Sequence, residues 1–139
     1  MMKKWNDLTF DICETPFIGV QGEGNTSGQP ALFIRGYACN LKCRYCDSSH
    51  SFDNNRNKKE SISFLNIKKM IKRESIRNII FTGGEPLLIK KHFELLEKCV
   101  ERGHAHKISL HYNTNTTIRI TDNINILFWF NILSSFIWL

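Results

Sequence analysis

Two short apolar runs, each cut off by residues that cannot extend a strand, constrain the fold of this chain more than any other feature. Residues 31–35 (ALFIR) deliver the chain into a cysteine-bearing loop that begins after Gly36. Residues 78–82 (NIIFT) run into Gly83, Gly84, Glu85 and Pro86, where proline has no N–H with which to continue a ladder. Both runs read as strands. Helix-period segments separate them: from Ser63 the apolar positions Leu65, Ile67, Met70 and Ile71 suit an amphipathic helix. Over residues 90–102, Phe93, Leu96, Cys99 and Val100 share one face ahead of Gly103, a C-terminal stop. Residues 8–14 (LTFDICE) and 107–112 read as further strands. Strands alternating with helices predict parallel βαβ units, an α/β fold whose site is built from loops at the carboxyl ends of the strands. The cysteine loop and the GGEP turn both belong at such ends.

Pro16 and the glycine-rich stretch 21–30 (QGEGNTSGQP) are expected to break regular structure, and 53–59 (DNNRNKK) to form a turn. With no internal repeat or linker, residues 1–139 are expected to form a single domain, and 42% hydrophobic content is enough to bury a core. The formal net charge of +6 permits attraction to polyanions. However, the densest basic run (Arg56, Lys58, Lys59, Lys68, Lys69, Lys72, Arg73) includes a helix-like stretch whose lysines take the wet face, so no nucleic-acid partner is expected. Residues 124–139 (INILFWFNILSSFIWL) form an apolar tail, 12 of 16 residues being apolar. As a helix it would span about 24 Å, short of the roughly 30 Å hydrocarbon core. The expectation is a buried strand or helix in which Trp129, Phe136 and Trp138 pack, with no membrane span; a homodimer formed through the tail is the other way to cover it.

The opening MMKKWNDLTF lacks the apolar region of a secretory signal, so Cys13, Cys39, Cys43, Cys46 and Cys99 are expected to stay reduced in a cytoplasm. Cys13 and Cys99 sit in strand and helix patterns and read as small core residues. His104, His106 and His111 take loop or satisfied polar roles by default. Cys39, Cys43 and Cys46 differ: three thiolates within eight residues let one loop wrap one metal centre. An iron–sulfur cubane held by three cysteines leaves one iron open to a chelating small molecule, whereas a structural zinc site needs a fourth ligand, which His50 could supply.

The run Cys39-Asn40-Leu41-Lys42-Cys43-Arg44-Tyr45-Cys46, with the spacing CxxxCxxC, and the turn Thr82-Gly83-Gly84-Glu85-Pro86 together resemble the signature of radical S-adenosylmethionine enzymes. Glu14-Thr15-Pro16, Gln21-Gly22-Glu23-Gly24, Phe33-Ile34-Arg35-Gly36 and Asp47-Ser48 narrow the resemblance, over about residues 10–116, to the 7-carboxy-7-deazaguanine synthase family. The resemblance implies a partial (β/α) barrel, incomplete at its C-terminus. It also implies a 4Fe-4S cluster on Cys39, Cys43 and Cys46. S-adenosylmethionine would be held at Gly83, Gly84 and Glu85, the carboxylate meeting the methionine ammonium, and at Asn113 and Asn115 of the segment Asn113-Thr114-Asn115-Thr116. Thr116 stands there in place of the family's glycine. Val20, Gln21, Gly22, Arg35 and Thr82 would bind the pterin substrate, and Ser48, replacing a threonine, would offer oxygen to Mg2+. An arginine fork for a substrate carboxylate also makes independent sense.

The activity implied is reductive cleavage of S-adenosylmethionine, hydrogen abstraction from 6-carboxy-5,6,7,8-tetrahydropterin, ring contraction with loss of ammonia, and release of 7-carboxy-7-deazaguanine for 7-deazapurine (queuosine) biosynthesis. A flavodoxin-like reductant is implied with it. The alternatives are a glycyl-radical-type activating enzyme, against which the QGEG segment and Arg35 count, and an inactive truncated iron–sulfur fragment.

Overall fold

The computed structural model describes residues 8–46, 48–49, 59–115, 117 and 136–138. Among them run β1 (Thr9–Ile12), β2 (Phe17–Val20), β3 (Pro30–Arg35), β4 (Glu60–Ser63), α1 (Phe64–Arg73), β5 (Asn78–Thr82), α2 (Lys90–Glu101), β6 (Ser109–Asn113) and β7 (Phe136–Trp138). The main sheet has the order β2-β3-β5-β6-β7. Its last four strands are parallel, as the alternation with helices requires, and β2 pairs antiparallel on the edge. β1 and β4 form a separate antiparallel ribbon, tied to the sheet by a bridge between Ile12 and Gly36.

Both helices were legible. Ser63 caps α1 by accepting the Asn66 N–H at 3.3 Å, and α2 ends where the Gly103 N–H bonds the Val100 carbonyl at 2.8 Å. Their apolar stripes, with β1, β4 and alternate residues of the sheet, make one core that contains Phe10, Phe64, Leu32, Ile34, Ile79, Phe81, Leu95, Leu96, Leu110 and Tyr112. Phe81 stacks on Tyr112 at 5.5 Å, and Phe10 meets Phe64 edge-on at 6.0 Å. Each such fully buried aromatic contributes about 2 kcal/mol through area removed from water.

Because strand side chains alternate, the residues between these core positions face the other way. The register lines them up in tiers on the face opposite the helices, here called the inner face. Phe33, Ile80 and His111 are opposite one another, and two residues further along come Arg35, Thr82 and Asn113.

Three expectations are corrected or left untouched. The stretch after Pro16 does not break at once but forms β2, and β4 was not expected; the glycine-rich segment becomes the β2–β3 loop as read. The tail contributes β7, parallel to β6, through residues 136–138. Residues 124–135 and 139, and with them Trp129, lie outside the described residues, as do Asp47, His50, residues 53–58 and Thr116. No helix among the described residues is long and apolar enough to cross a membrane.

Candidate active site

Three loops leave the carboxyl ends of β3, β5 and β6 and meet. The cysteine loop follows Arg35, the GGEP turn follows Thr82, and the Asn113-Thr114-Asn115 segment ends β6. The Glu85 N–H donates to the Ala38 carbonyl at 2.6 Å, joining the first two loops. The Asn115 side-chain amide donates to Asn40 Oδ1 at 3.0 Å and approaches Cys39 Sγ at 3.9 Å, joining the third. Asn40 in turn donates to the Thr117 hydroxyl at 2.7 Å.

The glycines of the turn have a definite reason. Gly83 and Gly84 adopt φ of +69° and +55°, and a Cβ would overlap the Arg35 side chain at the first and the Ala38 carbonyl at the second. In this structure the two glycines let the cysteine loop and Arg35 come close, whatever ligand they also admit.

Cys39, Cys43 and Cys46 are half-buried, sit on one loop and take part in no disulfide. The Cys46 N–H closes a turn on the Cys43 carbonyl at 3.2 Å. Cys13 and Cys99 are buried, and burial pushes both thiols up to about 11, which keeps them protonated and inert near neutral pH. No three histidine, cysteine or carboxylate side chains among the described residues gather closely enough to hold a single metal ion. A cubane spreads its thiolates over separate irons, and three partly exposed thiols on one loop at the carboxyl ends of the strands are the donor chemistry it takes, so the residues fit the cluster.

Glu85 has partners within the chain. It is fully buried, and its oxygens accept from the Thr114 hydroxyl at 2.7 and 2.8 Å, the Asn115 N–H at 2.7 Å and the Leu87 N–H at 3.0 Å. The carboxylate therefore clamps the β5 turn to the β6 loop. Thr82, also buried, accepts from the Asn113 side-chain amide at 3.3 Å and stands in register with Arg35.

Arg35 is held by an ion pair from Nε to Glu14 Oε1 at 2.5 Å and by a hydrogen bond from Nη1 to Ser48 Oγ. A guanidinium against the Ser48 hydroxyl repels a divalent cation, so Ser48 in this arrangement does not fit the expected Mg2+. Gln21 is buried, Gly22 and Val20 are exposed, and all three lie at the far, amino-terminal end of β3. The loop they begin closes on itself through Gly28 N–H to Gln21 O at 2.8 Å and Gln21 N–H to Gln29 O at 2.9 Å.

Sequence reasoning missed several members of this network. Thr114 and Asn40 carry no motif signal of their own beside their neighbours. His111 was assigned a satisfied polar role, which its Nε2 meets in part; the ring is buried on the inner face and its Nδ1 has no partner among the described residues. A cleft of about 730 Å3 between α1, α2 and the sheet, lined by Ile67, Ile71 and Leu96 and edged by Lys68 and Lys107, lies on the helix side and contains none of the expected site residues.

The chain resembles known proteins over most of its length. A 7-carboxy-7-deazaguanine synthase of Haemophilus influenzae is 38% identical over 106 residues, 75% of this chain and 47% of that protein. One of Thermoplasma acidophilum is 32% identical over 106 residues, 76% of this chain and 47% of that protein. The crystal structure of QueE from Escherichia coli shares the fold, with a TM-score of 0.59 at 24% identity over 93% of this chain and 58% of that one. The chain thus spans about half the length of the synthases it matches. The Radical SAM superfamily profile matches residues 33–127, a span that takes in the cysteine loop, the GGEP turn and the end of β6, and the chain belongs to that superfamily.

Proposed function

We propose that this chain catalyses the ring contraction of 6-carboxy-5,6,7,8-tetrahydropterin to 7-carboxy-7-deazaguanine with loss of ammonia, a carbon–nitrogen lyase reaction that serves 7-deazapurine biosynthesis in the cytoplasm. The observation that carries the reading is the meeting of three loops at one sheet end, with Arg35, Thr82 and Asn113 on the inner face directly below. The names of the similar synthases support the product, and the sheet is read as part of a (β/α) barrel formed by one domain.

Cys39, Cys43 and Cys46 would hold a 4Fe-4S cluster, which with S-adenosylmethionine and a flavodoxin-like reductant supplies the one-electron chemistry that removes a substrate hydrogen atom. The chain's own contribution is placement. The backbone of Gly83 and Gly84 and the Asn113–Asn115 segment line the cofactor's side, and Glu85 fixes that segment through Thr114 and Asn115. Arg35, steadied by Glu14, presents a cation to the substrate carboxylate, and Thr82 offers a hydroxyl to the ring. Val20, Gln21 and Gly22 bring the β2–β3 loop to the substrate from below. Contact distances fixed in this way are worth more to a radical reaction than acid–base groups, since a misplaced hydrogen donor is simply out of reach.

The deciding experiment measures 5′-deoxyadenosine and 7-carboxy-7-deazaguanine from anaerobically reconstituted protein, with and without the pterin. Both are expected only when the pterin is present, and neither in Cys43→Ala. Deoxyadenosine without pterin turnover would keep the superfamily chemistry and reject the substrate, whereas iron without either product would reject the activity.

A further inference from the structure

His111 is 1% exposed on β6. Its sequence neighbours Leu110 and Tyr112 both belong to the helix-side core, so alternation turns His111 to the inner face, in register with Ile80 and through it with Phe33. There its Nε2 meets the hydroxyl of Thr26 at 3.2 Å, across 85 positions of sequence. Thr26 sits in the β2–β3 loop, which begins with Gln21 and Gly22, so the loop must fold up from the amino-terminal end of the sheet to reach this tier. Asn78 fastens the other end of the loop, donating to Gln29 Oε1 and to the Pro30 carbonyl, each at 3.1 Å. Arg35, Thr82 and Asn113 lie two residues above His111's tier, a rise of about 7 Å.

An aliphatic side chain would fill this position without a buried ring nitrogen such as Nδ1, which has no partner among the described residues. What the imidazole adds is the bond to Thr26. Burial holds the ring's proton affinity below the ordinary histidine value, so the ring is neutral and asks for no counter-charge.

We propose that His111 is a positioning residue: with Thr26 it latches the β2–β3 loop against the inner face and makes it the floor on which the substrate rests. The latch stands on the geometry alone, while its importance to the substrate rests on the function proposed above.

Hydrogen exchange on the full chain tests the latch without any cofactor. The amides of Gln21, Gly28 and Gln29 are bonded within the loop, and in Thr26→Val they should exchange about five-fold faster, while a peptide covering β5 keeps its rate. Thr26→Ser keeps the hydroxyl and should exchange as the parent does, and His111→Leu should behave as Thr26→Val does. Unchanged loop exchange in Thr26→Val overturns the latch. Calorimetric titration of the cluster-loaded protein with 6-carboxytetrahydropterin tests the floor: Thr26→Val should weaken binding about five-fold with S-adenosylmethionine affinity unchanged. Faster exchange with equal pterin affinity overturns the floor but not the latch. A parent protein that binds no pterin rejects the proposed substrate, and the exchange result still decides the latch.

Discussion

Glu85 shows how one buried carboxylate can be read two ways. Its place in the GGEP turn pointed to an ammonium partner, and the sequence offered no hint that Thr114 and the Asn115 backbone would take up its oxygens. Such a clamp depends on two loops 29 residues apart meeting in space, which no local pattern encodes. Glu85→Ala takes their acceptor from the buried Leu87 N–H and the partly buried Thr114 and Asn115 donors and is expected to cost about 3 kcal/mol in urea denaturation, with Glu85→Gln costing less. The cysteines divide as clearly. Cys13 and Cys99 were legible as core residues from their periodicity, and their raised proton affinity adds inertness to burial. Brief alkylation of the folded, cluster-free chain near pH 8, read by mass spectrometry, should therefore label Cys39, Cys43 and Cys46 and spare Cys13 and Cys99. His111 predicts a pH effect. Its folded-state affinity for protons is depressed by burial, so the penalty is absent above the unfolded value near 6.5. As pH falls below that, the unfolded chain takes up a proton that the folded chain refuses, and stability should drop by up to about 1.4 kcal/mol per unit until the folded site titrates. Denaturant melts between pH 7 and 5 should show a steeper slope in the parent than in His111→Leu, which keeps the smaller contribution of His104, whose proton affinity partial burial also lowers.

At the scale of elements, β1, β3, β5 and β6 were legible as strands and β2 and β4 were not. β5 is buried at all five positions, which NIIFT announces. β4 (ESIS) puts a single apolar residue, Ile62, into the core, and one residue cannot display a period. β2 is only four residues long and carries Gly19, a residue strands usually avoid; it survives because it pairs with β3, where Phe17 stacks on Phe33 at 5.1 Å. The GGEP turn was legible as a turn and as a site element, but its partner was not. Gly84→Ala tests that partnership: the new Cβ meets the Ala38 carbonyl at a φ of +55°, so the cysteine loop must shift. Iron bound after reconstitution should fall by more than half, while the far-ultraviolet dichroism of the sheet and helices stays as in the parent.

Across the whole molecule the sheet divides two tasks between its faces. The helix side holds the apolar core, and among the described residues the inner face and carboxyl-end loops hold five of the six buried polar side chains, Ser48, Asn78, Thr82, Glu85 and His111, while the sixth, Gln21, opens the β2–β3 loop. Burying polar groups costs stability unless each finds a partner, so they gather where binding needs them and the opposite face supplies the stability. The division predicts that the two properties separate on substitution. Leu96→Ala, in the helix-side core, should lower stability by about 2–5 kcal/mol and leave the pterin affinity of the folded protein within two-fold of the parent. Arg35→Gln removes a partly buried ion pair with Glu14 at an expected cost of about 1 kcal/mol, yet should abolish pterin binding. Because Leu96 lies in the helix-side core and Arg35 faces the other way, the stability costs in the double variant should add to within about 0.5 kcal/mol. A cost clearly different from the sum would show that the faces are coupled and that the site borrows its rigidity from the core, with β3, β5 and β6 as the backbone both faces share.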